Sequence, residues 1–106
     1  GADDAAIRAV VAHRTSKSPA YFFVEAEVNA YGYTFLQNNK VEQAIELFRI
    51  NVELFPESWN VYDSLGEALL RAGSTDEAVA MYERSLALNP DNANGREALA
   101  RLRVAA

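Results

Sequence analysis

The sequence predicts an all-α fold, a stack of antiparallel helical hairpins with two full repeats, an N-terminal helix and a C-terminal capping helix. Three observations lead to this prediction. Residues of matching size recur at a fixed offset of 34 positions, apolar residues recur at intervals of three and four, and glycine, asparagine or proline stands where each helix should end. The chain has 106 residues, of which 50% are hydrophobic and 24% charged, so it can form one compact domain.

The internal repeat divides most of the chain into two units, residues 25–58 and 59–92. Gly32 and Gly66 lie 34 residues apart. The same offset relates Phe35 to Leu69, Leu36 to Leu70, Ala44 to Ala78, Phe48 to Tyr82, Leu54 to Leu88 and Pro56 to Pro90. Pairs that match in size and polarity in one register indicate two copies of one structural unit.

Residues 1–24 precede the first unit and are less regular. Asp3 and Asp4 can cap a short helix over residues 3–13, with Ile7, Val10 and Val11 on one face. We expect this segment to be an N-terminal capping helix. The aromatic run at residues 21–24 fits either the start of the first repeat helix or a strand-like strap, because so short a stretch has no decisive period.

The first unit is predicted to be two helices joined by a tight turn. Its first helix has the apolar residues Val28, Tyr31, Phe35 and Leu36. Asn38-Asn39 follows, and asparagine is the best residue after glycine for the left-handed conformation that ends a helix. The second helix carries the apolar residues Val41, Ala44, Ile45, Leu47, Phe48, Val52 and Leu54 and ends before Pro56.

The second unit repeats this design. Ser58 or Asn60 can cap its first helix, whose apolar residues are Val61, Tyr62, Leu65, Leu69 and Leu70, and Gly73 is expected to end that helix. Ser74 and Glu77 have the spacing of a capping box at the start of the second helix. This helix, with the apolar residues Ala78, Val79, Met81, Tyr82, Leu86 and Leu88, should end before Pro90.

Residues 93–106 are predicted to form the C-terminal capping helix. Asp91-Asn92 can cap it, and Ala98, Leu99 and Leu102 form its apolar face. A stack of repeats exposes an apolar face at its end, and a helix with one polar side can cover that face.

The two units resemble tetratricopeptide repeats. The residues that carry the resemblance are Trp59, Leu65-Gly66, Leu69, Ala78, Tyr82 and Pro90 in the second unit and Gly32, Phe35, Ala44, Phe48 and Pro56 in the first. The resemblance implies that small residues at Gly32, Ala44, Gly66 and Ala78 let paired helices approach closely, while Phe48 and Tyr82 fill the space between them. It also implies a protein-interaction module that binds a peptide or helix in a shallow concave groove, or associates with itself.

In this family the first helix of each hairpin lines the groove. Carrying that over to matching positions nominates as partner-binding residues Asn29, Tyr33, Leu36, Gln37, Asn60, Asp63, Glu67, Leu70, Arg71, Asn94, Glu97 and Arg101. Asparagine side chains can bond both groups of a peptide backbone, and Asp63 with Glu67 would favour a basic partner. The same polar residues also fit a plain solvated surface. Because acidic residues stand in mid-groove without a lysine, recognition of an acidic C-terminal tail, as in the chaperone-binding members, is not expected.

A second resemblance concerns a larger parent protein. The string from Glu25 to Ala68 is similar to the C-terminal repeat segment of some bacterial serine hydrolases of the penicillin-binding, β-lactamase-like and esterase kinds. The chain contains no Ser-x-x-Lys or Gly-x-Ser-x-Gly motif, so this resemblance implies only a non-catalytic accessory or oligomerisation segment. A minimal scaffold without a biological ligand would fit the start at Gly1 but not the irregular first 24 residues.

Composition argues against several other functions. The net charge of −5 and pI near 4.8 disfavour nucleic acid as a partner. There is no cysteine, and His13 is the single histidine, so we expect no metal site, no cofactor and no catalysis. We interpret Ser64 as a small packing residue and the regularly spaced aromatic residues, Tyr31 among them, as core. No apolar run reaches the roughly 18 residues of a membrane span. A soluble chain is expected, in the cytoplasm or bacterial periplasm according to its parent.

Overall fold

The computed structural model describes residues 21–105, with the side chains of residues 25–103. Five helices follow one another: α1 (Tyr21–Gln37), α2 (Val41–Leu54), α3 (Trp59–Arg71), α4 (Thr75–Leu88) and α5 (Ala93–Ala105). Residues 21–105 contain no strand, and the prediction of an all-α stack of hairpins is confirmed. The aromatic run is therefore helical, because α1 begins at Tyr21. The N-terminal helix predicted over residues 3–13, and His13 with it, lies outside the described residues.

Each helix packs against the next one along the chain, and α1 also contacts α3. One buried cluster spans both repeats and α5, with Leu36 and Phe48 from the first repeat, Leu69 and Tyr82 from the second, and Leu99 from α5. A second cluster lies between the repeats. Its buried members are Val28, Leu47, Ile50, Phe55, Val61 and Tyr62. The hydrophobic effect therefore holds the hairpins together as well as each hairpin by itself.

Glycines allow the two helices of each hairpin to approach closely, as the resemblance implied. A Cβ atom added at Gly32 would lie 2.6 Å from Cζ of Phe48, and one added at Gly66 would lie 3.0 Å from Cε2 of Tyr82. Phe48 and Tyr82 are both almost fully buried. The aromatic ring of the second helix therefore occupies the space that a side chain of the first would need.

The helix ends predicted from glycine or asparagine, and those predicted from proline, are confirmed. Gly73 and Asn39, which are equivalent by the repeat offset, both have positive φ, 84° and 60°. The backbone there takes the left-handed conformation that closes a helix. Helices α2 and α4 end at Leu54 and Leu88, each two residues before a proline.

The predicted capping box of α4 is wrong. Ser74 occupies the N-cap position of α4, but its ψ is 65° and its side chain makes no capping hydrogen bond. Glu77 instead forms an ion pair of 2.7 Å with Arg49 of α2. Ser58 likewise occupies the N-cap position of α3 without a side-chain capping bond. At α5 the prediction holds, since the Gly95 amide donates to Oδ1 of Asn92 at 3.3 Å.

Tyr31 was expected in the core, and this expectation is also wrong. Tyr31 is 56% exposed, whereas Leu65, its equivalent in the second repeat, is 2% exposed. Leu65 belongs to a buried cluster that includes Leu36 and Phe48 of the preceding hairpin. Within residues 25–103 no hairpin precedes α1 to cover Tyr31 in the same way.

A buried polar side chain ties the two helices of each hairpin together at the same repeat position. Nδ2 of Asn51 donates to the carbonyl oxygen of Glu25 at 3.1 Å, and the Ser85 hydroxyl donates to that of Trp59 at 2.9 Å. The carbonyl groups belong to residues 34 positions apart, as do the donors.

No helix within residues 21–105 is long and apolar enough to cross a membrane.

Candidate functional site

The predicted groove residues lie on α1, α3 and α5, and we call the surface that they form the inner face. Five of them are exposed: Gln37, Arg71, Asn94, Glu97 and Arg101. Five are half-buried: Asn29, Tyr33, Asn60, Glu67 and Leu70. Leu36 and Asp63 are buried, at 2% and 6% exposure. The inner face is therefore a mixture of accessible side chains and side chains that are already packed.

Asp63 is engaged with the last helix. Its Oδ2 accepts a hydrogen bond from Nδ2 of Asn92 at 2.8 Å, and its Oδ1 accepts one from Nδ2 of Asn94 at 2.9 Å. Asn92 also donates to the Ser85 hydroxyl at 3.0 Å. The carboxylate of Asp63 thus joins α3 to the start of α5. Asp63 was predicted to line the groove, and in the structure both of its oxygens accept hydrogen bonds within the chain.

Two more of the predicted residues bind within the chain. Oδ1 of Asn29 accepts a hydrogen bond from the Ser64 hydroxyl at 2.5 Å, which connects α1 to α3. Ser64 is 2% exposed, in agreement with its interpretation as a small packing residue. Arg71 reaches back to the end of α1, where Nη2 lies 3.2 Å from the carbonyl oxygen of Leu36 and 3.3 Å from Oδ1 of Asn39. The Leu36 carbonyl also accepts a bond from the backbone amide of Asn39 at 3.1 Å, so Arg71 adds a second bond to the end of α1.

A cleft opens on the inner face between α3 and α5. Its volume is about 350 Å³, and its lining residues are Glu67, Leu70, Tyr82, Asn94, Ala98, Arg101 and Leu102. Four of these, Glu67, Leu70, Asn94 and Arg101, belong to the predicted groove. Asn29, Asn60 and Glu97 do not line this cleft.

The prediction missed the apolar half of the cleft. Tyr82 was assigned to the space between α3 and α4, and its ring is there, but it lines the cleft too. Ala98 and Leu102 were assigned to the core alone. The spacing of Asn94, Ala98, Arg101 and Leu102 places them on one face of α5, and this signal could have found them.

Burial shifts the pKa of three side chains in or beside the cleft, Glu67, Tyr82 and Tyr33. Burial raises the pKa of Glu67, and repulsion from Asp63 raises it further, while hydrogen bonding to Tyr33 and the charge of Arg71 act in the opposite direction. Burial also raises the pKa of Tyr82, and the charges of Asp63 and Glu67 add to the effect. Burial is likewise the main cause of the raised pKa of Tyr33. Both phenols therefore remain protonated hydrogen-bond donors at neutral pH.

The described residues contain no group of three or more histidine, cysteine, aspartate or glutamate side chains that could hold a metal ion. The cleft offers a protonated phenol, one half-buried carboxylate and an apolar wall, with the exposed side chains of Asn94 and Arg101 on its α5 side. This arrangement suits the binding of an amphipathic side chain, with its polar end at Glu67 and its apolar part against Leu70.

Comparisons with known proteins agree on the type of repeat. A family model described as "Tetratricopeptide repeat" matches residues 29–93 and again residues 64–106. Among solved structures, that of a mutant of MamA superimposes with a TM-score of 0.66 at 28% sequence identity. The match covers 76% of this chain and 59% of that one.

Similar sequence also occurs inside a much larger enzyme. Protein arginine N-methyltransferase 9 from Homo sapiens is 30% identical over 59 residues, and the protein of the same name from Xenopus laevis is 34% identical over 59 residues. Each match covers 56% of this chain but only 7% of the relative. The similarity is therefore confined to a short segment of those proteins.

Proposed function

Because the chain belongs to the tetratricopeptide repeat family, whose members generally bind proteins or peptides, we propose that it is a protein-interaction module that holds a peptide segment on its inner face. The observation that carries this proposal is the cleft between α3 and α5. A volume of about 350 Å³ has room for a few side-chain atoms of a partner, and its lining combines apolar and hydrogen-bonding groups.

Some residues of the inner face are already bonded or buried within the chain, so we propose that only the others contact the peptide. Asp63 and Asn29 have hydrogen-bond partners within the chain, and Leu36 is buried. Binding would therefore depend on Glu67, Leu70 and the facing residues of α5. The module itself has no catalytic role in this proposal, in keeping with a fold that is typically non-catalytic. The acidic net charge of −5 favours a protein partner over a nucleic acid.

The test is selection of peptides from a random library on the purified protein, followed by affinity measurement for the wild type and two variants. Leu70→Trp fills the cleft, and Leu88→Trp is the matched control because Leu88 is 36% exposed and does not line the cleft. We expect Leu70→Trp to weaken binding by about tenfold, equivalent to about 1.4 kcal/mol, and Leu88→Trp to leave it unchanged. Circular dichroism and thermal melting check that both variants fold.

Two results would contradict the proposal. Equal weakening by both tryptophan variants would place the binding surface elsewhere. Failure to select any peptide, combined with a concentration-dependent increase in mass by light scattering, would favour self-association, the other function that the sequence suggested.

A second candidate function is that of an accessory segment in a larger enzyme. The observation that favours it is the match of 56% of this chain to 7% of an arginine methyltransferase, which places similar sequence within a much longer polypeptide. The serine hydrolase parent suggested by the sequence remains a prediction. Co-purification of the chain with a separately expressed catalytic domain from the same gene would support the accessory role, and independent elution of the two would argue against it.

A further inference from the structure

Glu67 is the one carboxylate that lines the cleft, and although Tyr33 and Arg71 favour its charged form, it has no ion-pair partner among residues 25–103. Arg49 pairs with Glu77 and Arg103 with Glu83, and no arginine or lysine among residues 25–103 forms an ion pair within 4 Å of Glu67. The one cation on its own helix is Arg71, which offsets part of the charge of Glu67 while its guanidinium donates to Leu36 and Asn39 at the end of α1.

The surroundings of Glu67 make a cation favourable beside it. Partial burial removes water from the carboxylate, and Asp63, one turn earlier on α3, adds a second negative charge. Asp63 is itself satisfied by two neutral amides, which leave its charge in place. Arg101 also lines the cleft, but it is an exposed side chain of α5, and water and salt screen its charge.

A second group in the cleft, the Tyr82 hydroxyl, has no hydrogen-bond partner among residues 25–103. The Tyr82 side chain is 2% exposed, and its hydroxyl forms no hydrogen bond with a described residue. A phenol oxygen can accept a hydrogen bond from a charged N–H group as well as donate one. The cleft therefore offers two oxygen acceptors, the carboxylate of Glu67 and the hydroxyl of Tyr82.

The remaining lining suits a long aliphatic stem. Leu70, Ala98 and Leu102 form the apolar part of the cleft. Lysine and arginine side chains pack their methylene groups on apolar surface while the charged end reaches a polar group. An acidic side chain in the same place would meet Glu67 and the nearby charge of Asp63, at a cost in repulsion.

We propose that the cleft selects a lysine or arginine side chain of the bound peptide, with its charged end at Glu67 and its stem along Leu70 and Leu102. This inference rests on the proposed peptide-binding function and adds the chemistry of the partner. Glu67 is then the residue that determines specificity, and Asp63 acts on the partner only through its charge.

The experiment uses the peptides selected from the random library on the full chain. In a selected peptide, each basic residue is replaced by norleucine, which keeps an aliphatic stem and removes the charge. Affinities are measured for the wild type, for Glu67→Gln and for the control Glu57→Gln, which makes the same change of charge at an exposed residue in the turn between α2 and α3. Thermal melting of each variant confirms that it is folded.

We expect selection to enrich lysine or arginine at one position, and norleucine there to weaken binding to the wild type by about tenfold. The same replacement should have little effect with Glu67→Gln and the full effect with Glu57→Gln. Peptides that bind without a basic preference, or a norleucine effect that is equal in all three proteins, would overturn the inference and leave the peptide-binding function standing. If no peptide is selected, the proposed function fails and this inference fails with it.

Discussion

At the scale of single residues, the spacing between paired helices depends on two glycines and two aromatic rings. The rings of Phe48 and Tyr82 occupy the space that a side chain in place of Gly32 or Gly66 would need. The two positions differ in tolerance, because the space left at Gly66 is larger than at Gly32. Since interiors are closely packed, a methyl group added at either position must displace the ring.

We expect Gly32→Ala to lower the free energy of unfolding by about 1–3 kcal/mol, and Gly66→Ala to lower it less. The reason is overpacking against Phe48, whose Cζ would lie 2.6 Å from the new Cβ atom. Urea denaturation followed by circular dichroism measures both. Gly32→Ala combined with Phe48→Leu serves as the control, since the smaller side chain should restore part of the loss. An equal effect of Gly32→Ala with and without Phe48→Leu would contradict this explanation.

Tyr31 and Leu65 occupy equivalent positions in the two repeats, so the cost of truncating each side chain can be compared. Leu65→Ala should cost about 2–5 kcal/mol, because Leu65 is buried between the hairpins. Tyr31→Ala, at the equivalent position, should cost much less because Tyr31 is 56% exposed. Thermal melting of the two variants measures the difference. A similar loss from both would mean that Tyr31 is covered in solution.

Two glutamates are expected to affect stability with opposite dependence on pH. Burial raises the pKa of Glu67 above its ordinary value of 4.5, so the folded state favours its neutral form. The stabilisation from Glu67 is therefore full below 4.5 and is lost as pH rises through the raised pKa. The ion pair with Arg49 lowers the pKa of Glu77, so its contribution is present above 4.5 and is lost as pH falls through the lowered pKa.

The measurement is the free energy of unfolding as a function of pH for the wild type, Glu67→Gln and Glu77→Gln. The free energy of unfolding of Glu67→Gln minus that of the wild type should be larger near neutral pH than in acid. Glu77→Gln should be the less stable protein at neutral pH, by a small amount because the ion pair is at the surface. Parallel profiles for all three proteins would refute both assignments.

At the scale of helices, α5 is attached to the stack by polar bonds as well as by apolar packing. Asp63 accepts hydrogen bonds from Asn92, just before α5, and from Asn94 in its first turn. Asn92 also caps α5 and bonds to Ser85 of α4. The Asn92 side chain thus connects α3, α4 and α5. Because it fixes the start of α5, it also influences the width of the cleft.

We expect Asp63→Ala to lower the free energy of unfolding by about 1–3 kcal/mol, because it leaves the buried amide of Asn92 short of an acceptor. The loss should be concentrated in α5, and hydrogen exchange of the amides of residues 95–103 should increase more than that of α2. Asp91→Ala is the control, since Asp91 is exposed one residue before the network. Uniformly faster exchange across all helices would show that Asp63 does not act on α5 in particular.

At the scale of the whole molecule, α5 both completes the core and forms one wall of the cleft. Ala98 and Leu99 belong to the buried cluster that contains Leu69 and Tyr82. Ala98 and Leu102 also line the cleft. Stability and binding should therefore depend on the same helix, as expected of a repeat stack whose last unit is covered by a terminal helix.

We expect a chain that lacks residues 93–106 to melt at a lower temperature, to bind a hydrophobic dye and to lose affinity for the selected peptides. Leu99→Ala in the full chain separates the two effects. It should reduce stability by about 2–5 kcal/mol through a cavity, yet retain peptide binding below its melting temperature, since Leu99 does not line the cleft. Unchanged peptide affinity in the shortened chain would exclude the cleft as the binding site.

The sequence by itself determined the repeat, the helices and their ends. These depend on local properties: the offset of 34 residues, the period of the apolar residues, and the backbone preferences of Gly73, Asn39 and the prolines that follow α2 and α4. It also nominated four of the seven residues that line the cleft. A position within a repeat predicts which way a side chain points, because every copy of the unit has the same geometry.

Only the tertiary structure decided which of those side chains are available to a partner. Asp63 is used internally because Asn92, 29 residues further along the chain, lies beside it. Glu77 does not cap its own helix, because it forms an ion pair with Arg49 of the other repeat. Tyr31 is exposed and Leu65 is buried although the repeat makes them equivalent. Each of these outcomes depends on a neighbour that is distant in sequence, and a local pattern carries no information about that neighbour.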